Sequence, residues 1–196
     1  AAQALVDGRG AERVALALLL RAGARLALRA ATPDDAQRLW QWRNHPATRA
    51  VSRQAEPIPW PDHLQWLQRT LADPARRLWL AQLGDRPVGV IRFDALSDAR
   101  HEVSLYLDPG LHGLGLGSAL LAAGEAALAT AEAGGAGHGP ITVVAEVLPD
   151  NPASRQLFVA AGYRAASSAS AASEHVFAKT LAAPAIPPAR TPECSP

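Results

Sequence analysis

The sequence has no methionine and a single cysteine, Cys194, close to its end. One cysteine excludes an internal disulfide framework and a metal site built from several thiolates, and it favours a reducing, cytoplasmic setting. Long hydrophobic runs are also missing, because the longest, over residues 14–20, is far too short to span a bilayer. We therefore expect no membrane association. The missing initiator methionine predicts that the sequence begins within a longer chain or after processing.

Charge of either sign is scarce. Charged residues make up 19% of the chain, and the formal net charge is +1. This balance predicts neither a nucleic-acid-binding surface nor a polybasic membrane patch. The histidines include no pair with i, i+4 spacing on a helix, so no metal site is predicted. A chain of 196 residues with 48% hydrophobic residues fits one globular domain with a sizeable core.

The predicted helices and strands indicate one α/β domain. Helical patterns fall within residues 1–24, from Thr32 to about Arg43, and at 60–74, 118–133 and 151–162. Strand patterns cover RLALR, two arms of a hairpin that turns at Gly84 to Pro87, RHEVSLYLD, ITVVAEV and EHVFAKT. The order predicts a mixed, mostly antiparallel central sheet flanked by helices. We assign residues 1–24 to an N-terminal helical segment, 25–181 to the domain and 182–196 to a disordered tail, and expect the stretch from His45 to Pro61 to be irregular.

The most distinctive stretch is LDPGLHGLGLGSALLAAGE, at residues 107–125. Gly113, Gly115 and Gly117 occupy alternate positions directly before an apolar helix. Glycine lets another molecule lie against the main chain, and the first free N–H groups of a helix form an anion site. The stretch therefore predicts a phosphate-bearing ligand. The alternative interpretation is that these glycines only form a tight turn between a strand and a helix.

Two common phosphate-binding motifs fit this stretch poorly. A Walker loop requires a lysine after its last glycine, and here Ser118 follows Gly117 directly, so that motif is excluded. A dinucleotide-binding fingerprint requires a third glycine where Ser118 stands, and a buried parallel strand before the loop. The strand before this loop alternates polar and apolar residues, which makes the dinucleotide interpretation weaker while leaving it open.

One strand after LYLDPGLHGLGLGSALL comes a second motif, VLPDNPASRQLFVAAGY. Together the two motifs resemble those of the GCN5-related N-acetyltransferases, or GNAT family, which transfer an acetyl group from acetyl-CoA to an amine. In that family the first motif has a Gln or Arg three residues before the first of two glycines, and its amides hold the CoA pyrophosphate. Here His112 takes the Gln or Arg position, Gly115 and Gly117 are the two glycines, and Gly113 is extra. The second motif maps onto Asn151, Ser154, Phe158, Gly162 and Tyr163.

The resemblance covers residues 25–181 and implies the GNAT fold, with acetyl-CoA as cosubstrate. It implies that the strand before the loop splays from its neighbour, so that main-chain groups of Leu105 to Leu107 bind the thioester arm and polarise its carbonyl. The CoA site implied by the resemblance is Leu105, Tyr106, Leu107, His112, Gly113, Leu114, Gly115, Leu116, Gly117, Ser118, Asn151, Ser154 and Phe158.

Two catalytic residues follow from the same resemblance. Glu102 stands where many members carry a base, although a surface salt bridge is the alternative role for this side chain. Phe158 stands where many members carry an acidic tyrosine, and a phenylalanine has no proton to give. We therefore take Tyr163 as the candidate acid, with Tyr106 or solvent as alternatives. We expect Phe158 to pack along the CoA arm.

The acceptor is predicted from the helical half of the domain. Arg43, Asn44 and Trp60 are the candidate substrate-binding residues. The segments WRNHPATR and HLQWLQRTL are similar to those of members that acetylate the 4-amino group of a UDP-linked amino sugar in pseudaminic acid biosynthesis. The segment LVDGRGAERVALALL resembles the last helix of a sugar-nucleotide hydrolase of that pathway, which predicts a hydrolase and acetyltransferase fusion.

Other functions stay open at this point. Relatives that acetylate the N-termini of ribosomal proteins or peptides share the RN helix, so a peptide acceptor is the second enzymatic hypothesis. The missing acid at Phe158 suggests a non-catalytic module that only binds acetyl-CoA. A nicotinamide-binding protein is the weakest hypothesis. The expected partner is therefore a small-molecule amine rather than nucleic acid or membrane, and a homodimer is left open.

Overall fold

The computed structural model describes residues 8–97, 99–133, 139–166 and 175–182. Its helices are α1 (Gly10–Arg21), α2 (Ala36–Asn44), α3 (Pro46–Arg49), α4 (Trp60–Ala72), α5 (Leu116–Ala133) and α6 (Pro152–Ala160). Its strands are β1 (Ala27–Ala30), β2 (Arg76–Leu83), β3 (Arg86–Ser97), β4 (Arg100–Leu107), β5 (Ile141–Glu146), β6 (Arg164–Ala165) and β7 (Val176–Leu181). Residues 1–7 of the predicted N-terminal segment and 183–196 of the predicted tail lie outside the described residues.

The strands form one seven-stranded sheet in the order β1-β2-β3-β4-β5-β7-β6. Strands β4 and β5 pair in parallel, and the other neighbouring pairs are antiparallel. The prediction of a mixed, mostly antiparallel sheet flanked by helices is confirmed. The turn between β2 and β3 is shorter than predicted, because Leu83 pairs with Arg86 and Arg86 and Pro87 already belong to β3. The stretch expected to be irregular also contains the short helix α3.

Apolar side chains cover both faces of the sheet. On one face, α5 packs through Leu120 and Leu121 against Ile91. On the other face, Leu39 of α2 and Leu67 of α4 pack against Val90, the residue beside Ile91 in β3. Helix α5 lies very close to β3, since a Cβ at Gly124 would stand 2.5 Å from Cδ1 of Ile91. The two layers of helices fix the position of β4, which carries the site.

Helix α1 packs on the same layer as α5. Its Leu16 is buried in that core cluster, with Leu20 packed against the cluster's edge. Within the described residues, none of the helices combines the length and the hydrophobicity needed to cross a membrane.

Candidate active site

Strands β4 and β5 separate part-way along their length. Their parallel pairing covers only residues 100–102 of β4 and 142–144 of β5. Beyond Glu102, β4 continues to Leu107 paired with β3, and β5 continues to Glu146 paired with β7. Among the described residues, the main-chain groups of β4 that face β5 therefore have no strand partner from Val103 onward. This is the splayed geometry that the family resemblance implies, and it opens a fork in the middle of the sheet.

A cavity of about 1380 Å³ occupies this fork. Its lining includes the glycine loop, the first turns of α5 and α6, and residues of α2, α4 and the loop between them. Strand β4 lines it from Glu102 to Leu107. The cavity can therefore hold an elongated molecule along β4 and a second molecule from the helical side.

The glycine loop presents bare main chain to the cavity. Gly113 and Gly115 have φ angles of 82° and 74°, the left-handed region that side chains disfavour. A Cβ built on either residue would meet no atom within 4 Å, so both face open space. Helix α5 begins at Leu116, and the first amides of a helix have no partner inside it. An anion as large as a pyrophosphate fits this arrangement of amides and space.

The start of α6 faces the same cavity from the side. Oδ1 of Asn151 accepts a hydrogen bond from the amide of Ser154 at 3.0 Å and so caps the helix. Ser154 and Phe158 line the cavity one and two turns further on. Phe158 is buried and meets Tyr163 edge-on at 5.0 Å between ring centres. Two positive helix ends therefore converge on one space, which favours a ligand with several negative charges.

Most residues of the implied CoA site line this cavity. The set comprises Leu105, Tyr106, Leu107, His112, Gly113, Gly115, Leu116, Gly117, Ser118, Asn151, Ser154 and Phe158. Leu114 is the exception, because its side chain packs against the core cluster under α5. The polar and apolar alternation of β4 explains the placement of Tyr106, which packs with the cluster of α2 and α4, whereas Leu105 and Leu107 pack with the cluster of α5.

His112 stands at the entrance of the glycine loop. Burial, with His45 nearby adding to the effect, lowers the pKa of His112 below its ordinary value. The imidazole is therefore neutral at pH 7 and above, and it contributes hydrogen bonding rather than charge.

We expect the His112→Gln variant to bind acetyl-CoA within about threefold of the wild-type affinity at pH 7.5, because a neutral hydrogen-bonding group replaces another. Calorimetric titration at pH 7.5 and at pH 6 checks this. A tenfold or larger loss at pH 7.5 would contradict it, because the imidazole would then make a contact that a neutral amide does not replace.

The acidic side of the fork contains two carboxylates joined by an arginine. The guanidinium of Arg53 pairs with Glu102 and also with Oε2 of Glu146 at 3.1 Å. Glu102 and Glu146 belong to the two strands that separate here, and the side chain of Glu102 is 27% exposed. Sequence reasoning missed Arg53 and Glu146. A glutamate at the end of ITVVAEV was a usable signal for Glu146, whereas the loop around Arg53 carries no pattern.

The helical side of the cavity contains two arginines near Tyr106. Nη2 of Arg43 donates to the carbonyl of Gln54 at 3.0 Å, and Nη1 is buried without a hydrogen-bond partner in the described part of the chain. Burial lowers the pKa of Arg43, although a guanidinium stays charged across the physiological range. Arg92 lies over the ring of Trp66 at 5.6 Å and pairs with Asp94 at 2.9 Å. Arg43 is thus a cation that lines the cavity and has one nitrogen, Nη1, available for a further hydrogen bond.

Three of the predicted catalytic and substrate-binding residues also do not line the cavity. Asn44 exchanges two hydrogen bonds with the main chain of Ile58, at 2.9 and 2.8 Å, and so fixes the loop before α4. Trp60 packs on Trp40 and stacks with His63. Tyr163 is buried behind Phe158, and burial together with Glu125 raises the pKa of its hydroxyl. The ring of Tyr163 packs in the core and does not line the cavity, which differs from the placement that the predicted acid role requires.

Tyr106, the alternative acid, lines the cavity near the end of β4. Burial raises the pKa of Tyr106, against the opposing effect of Arg43 and Arg92. The hydroxyl therefore keeps its proton at neutral pH. Among the described residues, no group of three or more histidine, cysteine or carboxylate side chains is placed to hold a metal ion.

Residues 25–164 match the family model described as an acetyltransferase (GNAT) domain. The chain belongs to the GNAT acetyltransferases. The match covers well over half of the chain and includes β4, the glycine loop and the start of α6. The predicted enzyme class, an N-acetyltransferase, and acetyl-CoA as its cosubstrate are therefore confirmed at the level of the GNAT family.

Individual relatives agree with this family and fold. The acetyltransferase PseH of Campylobacter jejuni is 27% identical over 82 residues, which cover 42% of this chain and 52% of that protein. The matched segment is thus about half the length of this curated relative. The structure of the same bacterium's N-acetyltransferase PseH with acetyl coenzyme A has a TM-score of 0.58 at 17% identity, covering 80% of this chain and 98% of that one.

A second solved GNAT structure is the spermidine N-acetyltransferase of Vibrio cholerae in complex with CoA and spermine. It has a TM-score of 0.66 at 15% identity and covers 81% of this chain and 96% of that one. At these identities the solved structures show that the fold is shared and leave the acceptor of this chain to be argued from its own residues.

Proposed function

We propose that this GNAT enzyme transfers the acetyl group of acetyl-CoA to the primary amine of an anionic small molecule, and that the acceptor is the 4-amino group of a UDP-linked amino sugar. The observation that carries the proposal is the charge pattern of the cavity on the helical side. Arg43 lines the cavity, and its buried Nη1 has no hydrogen-bond partner among the described residues. A cation placed there suits a phosphate group of the acceptor.

Different groups of the chain bind the pyrophosphate, hold the thioester arm and move protons. The amides of the glycine loop and the first turns of α5 and α6 bind the pyrophosphate, and the free main-chain groups of β4 beyond Glu102 hold the thioester arm. Bound acetyl-CoA supplies an activated acyl group on a tolerable thiolate leaving group. Glu102 accepts the proton of the attacking amine, directly or through a water, and Tyr106 is the proton source placed on the cavity wall.

The acceptor assignment has two further supports. The segments WRNHPATR and HLQWLQRTL resemble those of amino-sugar acetylating members, and they form α2, α3 and α4 around the cavity's helical side. The sequence match to PseH points to the same branch of the family. The two carboxylates of the fork suit the ammonium form of an amine, so one acceptor can satisfy both the acidic fork and Arg43.

The test is thiol release from acetyl-CoA by the purified chain with three acceptors: a UDP-linked 4-amino sugar, spermine, and a peptide with a free N-terminus. The expected result is release with the nucleotide sugar, with a mass increase of one acetyl group on the product. Turnover of the peptide in preference would overturn the acceptor and favour N-terminal acetylation. Acetyl-CoA binding without release for any amine would instead favour a non-catalytic module.

Arg43→Gln is expected to raise the KM of the UDP-linked acceptor by about tenfold, because a charge-assisted hydrogen bond to phosphate is lost. The KM of acetyl-CoA should stay unchanged, since the glycine loop and the first turns of α5 and α6 are left intact. Initial-rate kinetics with each substrate varied in turn check this.

Arg49→Gln is the matched control, because it removes one arginine of the same region that does not line the cavity and donates to the carbonyl of Ala55. An equal rise in the acceptor KM for both variants would show that the effect comes from overall charge. An unchanged acceptor KM in Arg43→Gln would show that Arg43 does not contact the acceptor's phosphate.

A further inference from the structure

Helix α1 lies outside the region that matches the GNAT model, and yet it contacts the approach to the glycine loop. The approach consists of Asp108 and a single 3₁₀ turn, Pro109–Leu111, which connect β4 to the loop. Leu111 is fully buried, so the turn is anchored to the core at its end. The contacts of α1 therefore act on the segment that sets where the loop begins.

Arg9, at the start of α1, makes a bidentate pair with Asp108. Its Nη1 donates to Oδ1 at 3.0 Å and its Nη2 to Oδ2 at 2.8 Å. Asp108 also receives the amide of Gly110 at 2.9 Å, so the same carboxylate caps the turn and holds the helix. The carboxylate is nearly buried, with a side-chain exposure of 6%, which limits the screening of this pair by solvent.

Two more arginines complete the connection. Arg13, one turn along α1, donates from Nε to the carbonyl of Gly110 at 2.7 Å. Arg86 of β3 pairs with Asp108 at 2.9 Å and with Glu12 of α1 at 2.5 Å. Helix α1 is thus tied to both polar ends of the turn and to the neighbouring strand.

The glycine loop itself has little that fixes its shape. Two of its residues, Gly113 and Gly115, have no protein atom within 4 Å of where a Cβ would lie, and both need a left-handed backbone. Such a loop samples many conformations unless its ends are held. The apparent dissociation constant of a ligand that needs one conformation is its intrinsic value divided by the fraction of molecules in that conformation. Contacts that hold the turn before the loop therefore raise the fraction of molecules whose loop is in the binding-competent conformation.

We propose that α1 is a positioning element for the CoA site: Arg9 and Arg13 hold the turn at residues 108–111 so that the amides of residues 112–117 are already arranged for the pyrophosphate. The proposal rests on the acetyl-CoA site of the proposed function and extends it to a helix outside the GNAT match. Arg9 and Arg13 are positioning residues, since they act through the turn and do not line the cavity.

The test is a double variant, Arg9→Gln with Arg13→Gln, in the full chain. We expect its dissociation constant for acetyl-CoA, measured by calorimetry, to rise about tenfold, because the binding-competent fraction of the loop falls. The kcat at saturating acetyl-CoA and the KM of the acceptor should stay within about twofold, because neither the fork nor Arg43 is touched. Hydrogen exchange of the amides at 112–117 should become faster in the ligand-free variant.

Arg21→Gln is the matched control, since it removes a cation from the exposed last turn of the same helix, away from the turn at 108–111. Gly110→Ala is an independent variant that keeps every charge. A Cβ at Gly110 would lie 1.8 Å from Nη1 of Arg9, so the guanidinium has to leave its place. We expect this variant to weaken acetyl-CoA binding in the same way while α1 keeps its arginines.

Wild-type affinity in both the double variant and Gly110→Ala would overturn the proposal while leaving the proposed function intact. Parallel losses in acceptor KM and kcat would also overturn it, because they would indicate general loosening of the fold. If the wild-type chain bound acetyl-CoA but transferred no acetyl group to any amine, the proposed function would be wrong. The role of α1 in acetyl-CoA binding would not be affected by that outcome.

Discussion

Replacing Gly115 by alanine is expected to weaken acetyl-CoA binding about 30-fold or more, because a left-handed backbone costs an L-residue about 1–2 kcal/mol and the new Cβ points into ligand space. The φ angle of Gly115 is 74°, and apart from its chain neighbours no described residue lies within 4 Å of the Cβ position. The alanine variant can therefore relax to an ordinary backbone angle in the free protein, and it then loses the arrangement of amides that binds the pyrophosphate. Calorimetric titration with acetyl-CoA measures the loss.

Gly84→Ala is the matched control for this experiment. Gly84 has a φ of 60° and equally empty surroundings, but it sits in the turn between β2 and β3 and does not line the cavity. The paired strands prevent the turn from relaxing, so we expect its variant to lose about 1–2 kcal/mol of unfolding free energy and to bind acetyl-CoA normally. Equal loss of binding in both variants would mean that stability, and not the loop, limits the affinity.

The fold was predictable because its signals are local. The alternation of RHEVSLYLD placed Tyr106 and Leu105 on opposite faces, and the structure packs them into different clusters. The two motifs at residues 107–125 and 147–163 were enough to predict the family, because each combines a helix start with residues that bind through the main chain. Helix α3, which the sequence pattern does not predict, is only four residues long, too short for a periodic pattern.

The side-chain placements were harder to predict, because they depend on contacts distant in sequence. Asn44 is held by Ile58, and Tyr163 turns toward Lys179 and Phe158 in the core. No periodicity indicates which way such residues point once two elements meet. Arg53 reaches Glu102 across 49 positions of sequence. Helix α1 was likewise interpreted as a remnant of another domain, and its ion pairs with Asp108 are visible only in three dimensions.

Replacing Glu102 by glutamine is expected to lower kcat about 100-fold or more, because a positioned general base contributes roughly 10²–10⁴ to a proton transfer. Acetyl-CoA affinity should be unchanged, since the glycine loop and both helix ends are untouched. The rate of the variant should rise with pH as the acceptor amine loses its proton in solution, because a base is then no longer needed. A pH series of kcat/KM for wild type and variant measures this.

The alternative role of Glu102, a salt bridge that only holds the fork, makes a different prediction through Arg53. If the ion pair were all that mattered, Arg53→Gln would reproduce the loss of Glu102→Gln. The side chain of Arg53 is 56% exposed, and exposed pairs contribute about 0–1 kcal/mol, so we expect Arg53→Gln to keep kcat within about fivefold.

Glu146→Gln removes the other carboxylate that pairs with Arg53, and it should behave like Arg53→Gln. The reason is that Glu146 lies on β5 and not on β4, the strand proposed to hold the thioester arm. A large loss of kcat in Glu102→Gln alone is consistent with a proton-accepting role. Equal losses of kcat in all three variants would show that Glu102 only holds the structure of the fork.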